Sequence, residues 1–148
     1  MAGEIAYAGD SFSGEISGLM VNADGDDGYN VGAGIGFSLG DIATISMAGG
    51  VGNTVFSASG APNDSDYYFV NALASMNLSD EVHAEFGAGW KDYEGDVTVL
   101  GIMSGIYYQP VDQLTIGLEA EYVQRDSDLV GVADVDSIFA GLVTMYSF

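Results

Sequence analysis

The sequence predicts an all-β protein, an antiparallel transmembrane β-barrel of eight strands, and three observations predict it. The first is strict two-residue alternation: in Leu114-Thr115-Ile116-Gly117-Leu118-Glu119-Ala120-Glu121-Tyr122 the even positions are apolar and the odd ones small or polar, which gives a strand one greasy and one wet face. The second is recurrence, because the pattern returns about every 18 residues until the chain stops on the aromatic Phe148. The third is that the connections alternate between short and long, as in barrels of the bacterial outer membrane.

Ser11–Val21 opens the series with imperfect alternation, and Gly28–Leu39 follows with a clean one. There Tyr29, Val31, Ala33, Ile35 and Phe37 alternate with Asn30, three glycines and Ser38. Ile42–Phe56 is less regular. Asp66–Asn77 sets Tyr68, Val70, Ala72, Ala74 and Met76 against Asn71, Ser75 and Asn77. Val82–Tyr93 sets Val82, Ala84, Phe86, Ala88 and Trp90 against His83, Glu85, two glycines and Lys91. Asp96–Tyr108 and Val135–Phe148 carry apolar residues on both faces, and Leu114–Arg125 lies between them. Leu39-Gly40-Asp41, Leu78–Glu81 and Gln109–Gln113 have the Gly, Pro, Asp and Ser of tight turns. Asn22–Asp27, Ser57–Ser65 and Asp126–Asp134 are longer, and Glu94-Gly95 is a shorter acidic connection. An even number of strands would put both chain ends beside the tight turns, on the periplasmic side. Tyr29, Tyr68, Trp90, Tyr108, Tyr122, Tyr146 and Phe148 stand near strand ends, where interfacial aromatic girdles are expected.

A chain of 148 residues is read as one domain, 1–148, with no cysteine and only two prolines. No apolar run is long enough for a helical span. Met1-Ala2-Gly3-Glu4 has neither the basic region nor the apolar core of an export signal, so a removed or replaced signal is expected. Twenty-two acids oppose Lys91 and Arg125, which argues against nucleic-acid phosphates as a partner. Twelve of those acids fall in loops, four in tight turns and four on polar faces. None is needed mid-strand on the apolar face, where a charge costs a few kcal/mol.

The stretch Gly105–Tyr122, with its paired tyrosines, its Pro110-Val111 turn and its Leu114-Thr115-Ile116 strand, resembles the penultimate hairpin of alphaproteobacterial porins. Phe139–Phe148 is similar to the C-terminal signal read by the barrel-insertion machinery, with Tyr146 and Phe148 as its aromatics. It departs from that signal in placing Val143 where a glycine is usual, with Gly141 two residues earlier. Porins of this kind have sixteen strands, so the resemblance implies a half-length relative or the C-terminal half of a porin. It also implies passive diffusion of small polar or cationic solutes, with outer-membrane lipid, lipopolysaccharide and the insertion machinery as partners. A homo-oligomer stays open.

The expected lumen-lining residues are Glu15, Glu85, Glu119 and Glu121, with His83, Lys91 and Arg125 as the bases. Ten glycines on or near the same face, among them Gly87, Gly105, Gly117 and Gly141, are expected to leave space for water. The alternative is a closed barrel whose interior is filled by a salt-bridge network, with a structural, anchoring or surface-interaction role. Neither catalytic residues, metal nor cofactor are expected. The sole histidine, His83, lies near Ser75, Ser79 and Glu85, but nothing marks a nucleophile. Asn22-x-Asp24-x-Asp26-Asp27 lacks the sixth-position glycine and the twelfth-position glutamate of a calcium loop. Gly32-Ala33-Gly34-Ile35-Gly36 precedes no helix, so it is not read as a nucleotide loop. A lipocalin-like barrel would reverse the faces and leave the terminal aromatic unexplained.

Overall fold

The computed structural model describes residues 1–23, 26–53 and 65–147, and every regular element among them is a strand. In chain order these are β1 (Ala2–Ala8), β2 (Phe12–Ala23), β3 (Asp26–Leu39), β4 (Ala43–Asn53), β5 (Asp66–Asn77), β6 (Val82–Tyr93), β7 (Val97–Val111), β8 (Leu114–Ser127) and β9 (Val135–Tyr146). Each pairs antiparallel with its sequence neighbour, so the sheet order is the chain order.

Two expectations are corrected. The described residues form nine strands, not eight, and no ladder joins β1 to β9, so the sheet is open at both edges. The added strand is β1, whose polar side is mostly alanine (Ala2, Ala6, Ala8 beside Glu4). Alternation between alanine and larger apolar residues carries little polarity contrast, which hides the period. Because the count is odd, the two ends of the sheet's chain path also separate. Met1 donates its amino group to the Met20 carbonyl at 2.6 Å, at the long-loop end, whereas β9 finishes beside the turn joining β7 and β8.

Several boundaries shift for local reasons. β7 runs on through Pro110, where a register irregularity between Tyr108 and Val111 accommodates a residue that cannot donate to the ladder. The expected five-residue turn therefore shrinks to Asp112 and Gln113, closed by the Val111–Leu114 pair. At the opposite end Glu94 and Gly95 both take positive φ, 50° and 80°. Asp92 Oδ1 accepts the Gly95 amide at 2.8 Å, which fixes a tight acidic turn. The expected end of the third predicted strand at Phe56, here part of β4, and the terminal Phe148 lie outside the described residues.

Register places most of the large apolar side chains on one face. On each of β2 to β9 they form a band that is eight residues from edge to edge, such as Phe12 to Met20, Tyr29 to Phe37, Val82 to Trp90 and Ile138 to Tyr146. Of the five same-face positions per strand inside the band none is charged, and only Ser104 and Thr144 carry aliphatic hydroxyls. The band is open to its surroundings: Ile16 is 62%, Leu118 62%, Leu142 70% and Ile138 80% exposed. Tyr68 meets Trp90 edge-on at 5.2 Å near the loop end, and Phe12 meets Phe37 at 5.3 Å near the turn end.

The band is also slanted. Followed from pair to pair, Phe12 lines up with Phe37, Ile45, Ala74, Phe86, Ser104, Ala120 and finally Ala140. The aromatic edge on β9 is Tyr146, six residues farther along. Six residues are roughly 20 Å, gained over seven strand spacings of roughly 34 Å, so the strands lean by about 30° from the normal to the band. That lies just below the 35–45° range of closed barrels.

Candidate functional site on the polar face

The seven residues expected to share a polar face do share one. Glu15, His83, Glu85, Lys91, Glu119, Glu121 and Arg125 all fall on the register positions opposite the apolar band. The sheet is hollowed on this side. One groove of about 420 Å³ crosses from Ser46 on β4 to Glu121 on β8 over Leu73, Gly87 and Met103. Another, of about 380 Å³, lies between β1 and β5 and includes Glu15.

Glu85 and Glu119 lie toward the short-turn end, and Glu121 stands mid-strand on β8. Glu85 and Glu119 flank Gly105 from either side, which puts their backbones two strand spacings, about 10 Å, apart. Between them Tyr107, 5% exposed, lies along its own strand and donates its hydroxyl to Glu119 Oε1 at 2.7 Å. This pose requires glycine beneath it. A Cβ on Gly117 would run into the Tyr107 ring, and one on Gly105 would stand 2.6 Å from its hydroxyl. His83 stacks on the other side of the same ring at 4.8 Å and 14°. Among the described residues no hydrogen bond links His83 to Ser75 or Ser79, and Ser79 Oγ accepts the Glu81 and Val82 amides within its own turn.

The bases stand toward the long-loop end. Lys91 Nζ sits 3.6 Å from the centre of the Tyr67 ring and 4.6 Å from that of Tyr93. Asn30 Nδ2 fixes Tyr67 by donating to its hydroxyl at 2.7 Å. Arg125 Nη2 donates to the Ala133 carbonyl at 3.1 Å, and its buried Nε has no hydrogen-bond partner among the described residues. Neither contact uses a carboxylate. Glu15 is remote from the other acids, on β2, and its nearest acidic neighbour is Glu4 on β1.

The glycines divide into two groups. Phe69 packs over Gly50, Met103 over Gly87, Ser13 over Gly36 and Tyr107 over Gly105 and Gly117. Gly101 and Gly141 face open space. The expectation that all of them leave room is therefore corrected: five of the ten are seats for a neighbouring side chain. Sequence reading missed Tyr107, Tyr67 and Tyr93 as site residues. Their odd positions on β5, β6 and β7 mark the polar face, but only the structure shows where the rings point. Tyr146 pairs with Leu114 at the end of β9, while the side chains of the acidic Asp24–Asp27 segment lie outside the described residues. Compared with protein-family models, curated proteins and solved structures, the chain matches none.

Proposed function

We propose that this chain forms the wall of a bacterial outer-membrane β-barrel, porin-like in action, through which small polar or cationic solutes diffuse passively. The observation that carries the reading is the exposed, charge-free apolar band, eight residues tall and slanted by six, backed by a hollowed acidic face. Water offers no way to bury such a band, whereas lipid is its natural solvent. In this role Glu85, Glu119 and Glu121 raise the local cation concentration through the field of the wall. Tyr146 and Phe148 address the chain to the insertion machinery, and lipid and lipopolysaccharide surround it.

Conductance of the refolded protein in planar bilayers tests transport directly. Steady, cation-selective current is expected. The membrane reading itself is tested by Leu118→Arg against Thr115→Arg. The first should cost about 2–4 kcal/mol and prevent insertion, the second should be tolerated. Equal tolerance, or a monomer soluble without detergent, would refute it.

A second reading has its own support. Leu73, Met103 and Phe139 are apolar, at least 37% exposed, and lie on the polar face. A narrow closed barrel would pack them inside and act as an anchor or surface module. Absence of conductance from correctly inserted protein would favour it.

A further inference from the structure

One groove on the polar face sets apolar side chains beside a single carboxylate, and that combination selects a ligand. Leu73, Gly87, Met103, Glu121 and Phe139 are successive cross-strand partners from β5 to β9, so they form one row on this face. Gly87 lets its neighbours close over it: a Cβ there would stand 2.8 Å from Met103 Cγ and 3.4 Å from Leu73 Cδ1. Leu73 and Met103 thereby make a continuous apolar ledge, each 37% exposed. Glu121 follows Met103 one strand spacing on, about 5 Å, with Phe139 on its other side.

Two residues toward the long loops, the neighbouring row runs through Asn71, Gly89 and Gly101. It is low, because nothing stands over Gly101 and the nearest atom to a Cβ on Gly89 is Asn71 Cβ at 3.5 Å. The ledge overlooks this floor of bare backbone. Together they make the groove of about 420 Å³ described above, a size that takes a small organic molecule.

We propose that the groove binds small organic cations, in which one charged nitrogen is carried on an apolar body such as a benzyl group. The proposal rests on the porin-like reading above and names its solute class. Charge complementarity argues for it. Glu121 is the one charged side chain lining the groove among the described residues. Among those residues no hydrogen bond or ion pair engages its carboxylate, whereas Glu119 is committed to Tyr107. Both bases stand four residues farther toward the loops, Lys91 from Gly87 on β6 and Arg125 from Glu121 on β8, about 13 Å along the strands. A hydrated inorganic ion gains nothing from Leu73 and Met103, and a neutral apolar solute gains nothing from Glu121. An organic cation gains from both, with its nitrogen at the carboxylate and its body over the ledge, where the Met103 sulfur suits an aromatic ring.

The test titrates benzylammonium chloride into the full chain, refolded in neutral maltoside micelles with isotopically labelled methionine methyls. The Met103 methyl resonance, identified by its loss in Met103→Leu, reports the site. Met76, on the apolar band, is the control for probe that only enters the micelle. Saturable movement of Met103 without Met76 is expected, and neither benzyl alcohol nor ammonium chloride should reproduce it. Glu121→Gln and Leu73→Gln should each weaken binding about fivefold. Asp112→Asn, which removes one charge in a turn outside the groove, should leave it unchanged. Heat-modifiable mobility checks that each variant folds, and rising salt should weaken binding to the parent chain without any substitution. Equal binding of benzyl alcohol, or an affinity that neither Glu121→Gln nor salt alters, overturns the proposal. Potassium current through the same protein separates this proposal from the reading beneath it. Current without a benzylammonium site overturns the site and leaves transport standing, whereas a saturable site without current supports the site and overturns transport.

Discussion

Tyrosine occupies both ends of the polar face and does opposite work there. At the short-turn end the Tyr107 hydroxyl donates to Glu119, while its ring is pressed against Gly117 on one side and His83 on the other. At the long-loop end Tyr67 and Tyr93 turn their faces to the Lys91 ammonium. An edge-on donor stabilises negative charge and a ring face stabilises positive charge. The comparison teaches that these two charges are sorted along the strand direction, Glu119 toward the turns and Lys91 toward the loops, and that each is held by tyrosine rather than by the opposite sign. Among the described residues the acids are thereby left free of ion pairing to Lys91 and Arg125, which is what a cation-attracting surface needs.

The seat beneath Tyr107 offers the strongest way to break this arrangement. Gly117→Val should displace the ring, separate the hydroxyl from Glu119 and cost about 1–3 kcal/mol of overpacking. Urea-induced unfolding of the inserted protein measures it, and Gly141→Ala, over open space, should change little by comparison. Tyr107→Phe keeps the ring and removes only the donor. A loss of about 1 kcal/mol in the same assay is expected, with no change in heat-modifiable mobility. At the other end Lys91→Met should remove the cation–π contacts at a cost of about 0.5–1 kcal/mol. It should also raise the preference for cations, read as reversal potential across a salt gradient. Glu119→Gln with Glu121→Gln should alter stability least and lower cation selectivity, an effect that shrinks as salt shortens the screening length. If that pair instead destabilises the chain more than Gly117→Val does, the acids are structural and the sorting of charge has no transport role.

Face assignment was legible from the residues because a period of two leaves no freedom once a strand is recognised. The bounds of β5 and β6 agree with the sequence reading, and all seven polar-face candidates lie on one side. Strand number was less legible. In β1 alanine stands where polar residues mark the wet face of Val82–Tyr93, so the contrast that identifies a strand is missing. Pro110 read as a turn residue, since nothing in the local sequence reveals that a bulge admits it to the ladder. The glycine seats were hidden for a different reason. A glycine marks space, and whether a neighbour such as Tyr107 fills it depends on cross-strand register, which alternation leaves free by any even number of residues.

If the band spans a bilayer as proposed, its slant has a consequence for the lipid as well as for the protein. Eight residues measure roughly 27 Å along a strand, and a lean of about 30° reduces this to roughly 23 Å along the membrane normal. A bilayer with a hydrocarbon core near 30 Å would have to thin around such a wall, and the penalty grows with each ångström of mismatch. The outer membrane is thinner than average, so on the proposed membrane-spanning reading the height of the band by itself would sort this chain away from thicker bilayers. Acyl-chain length then becomes a control on folding: short-chain lipids should accept the protein readily, and long-chain lipids should resist it.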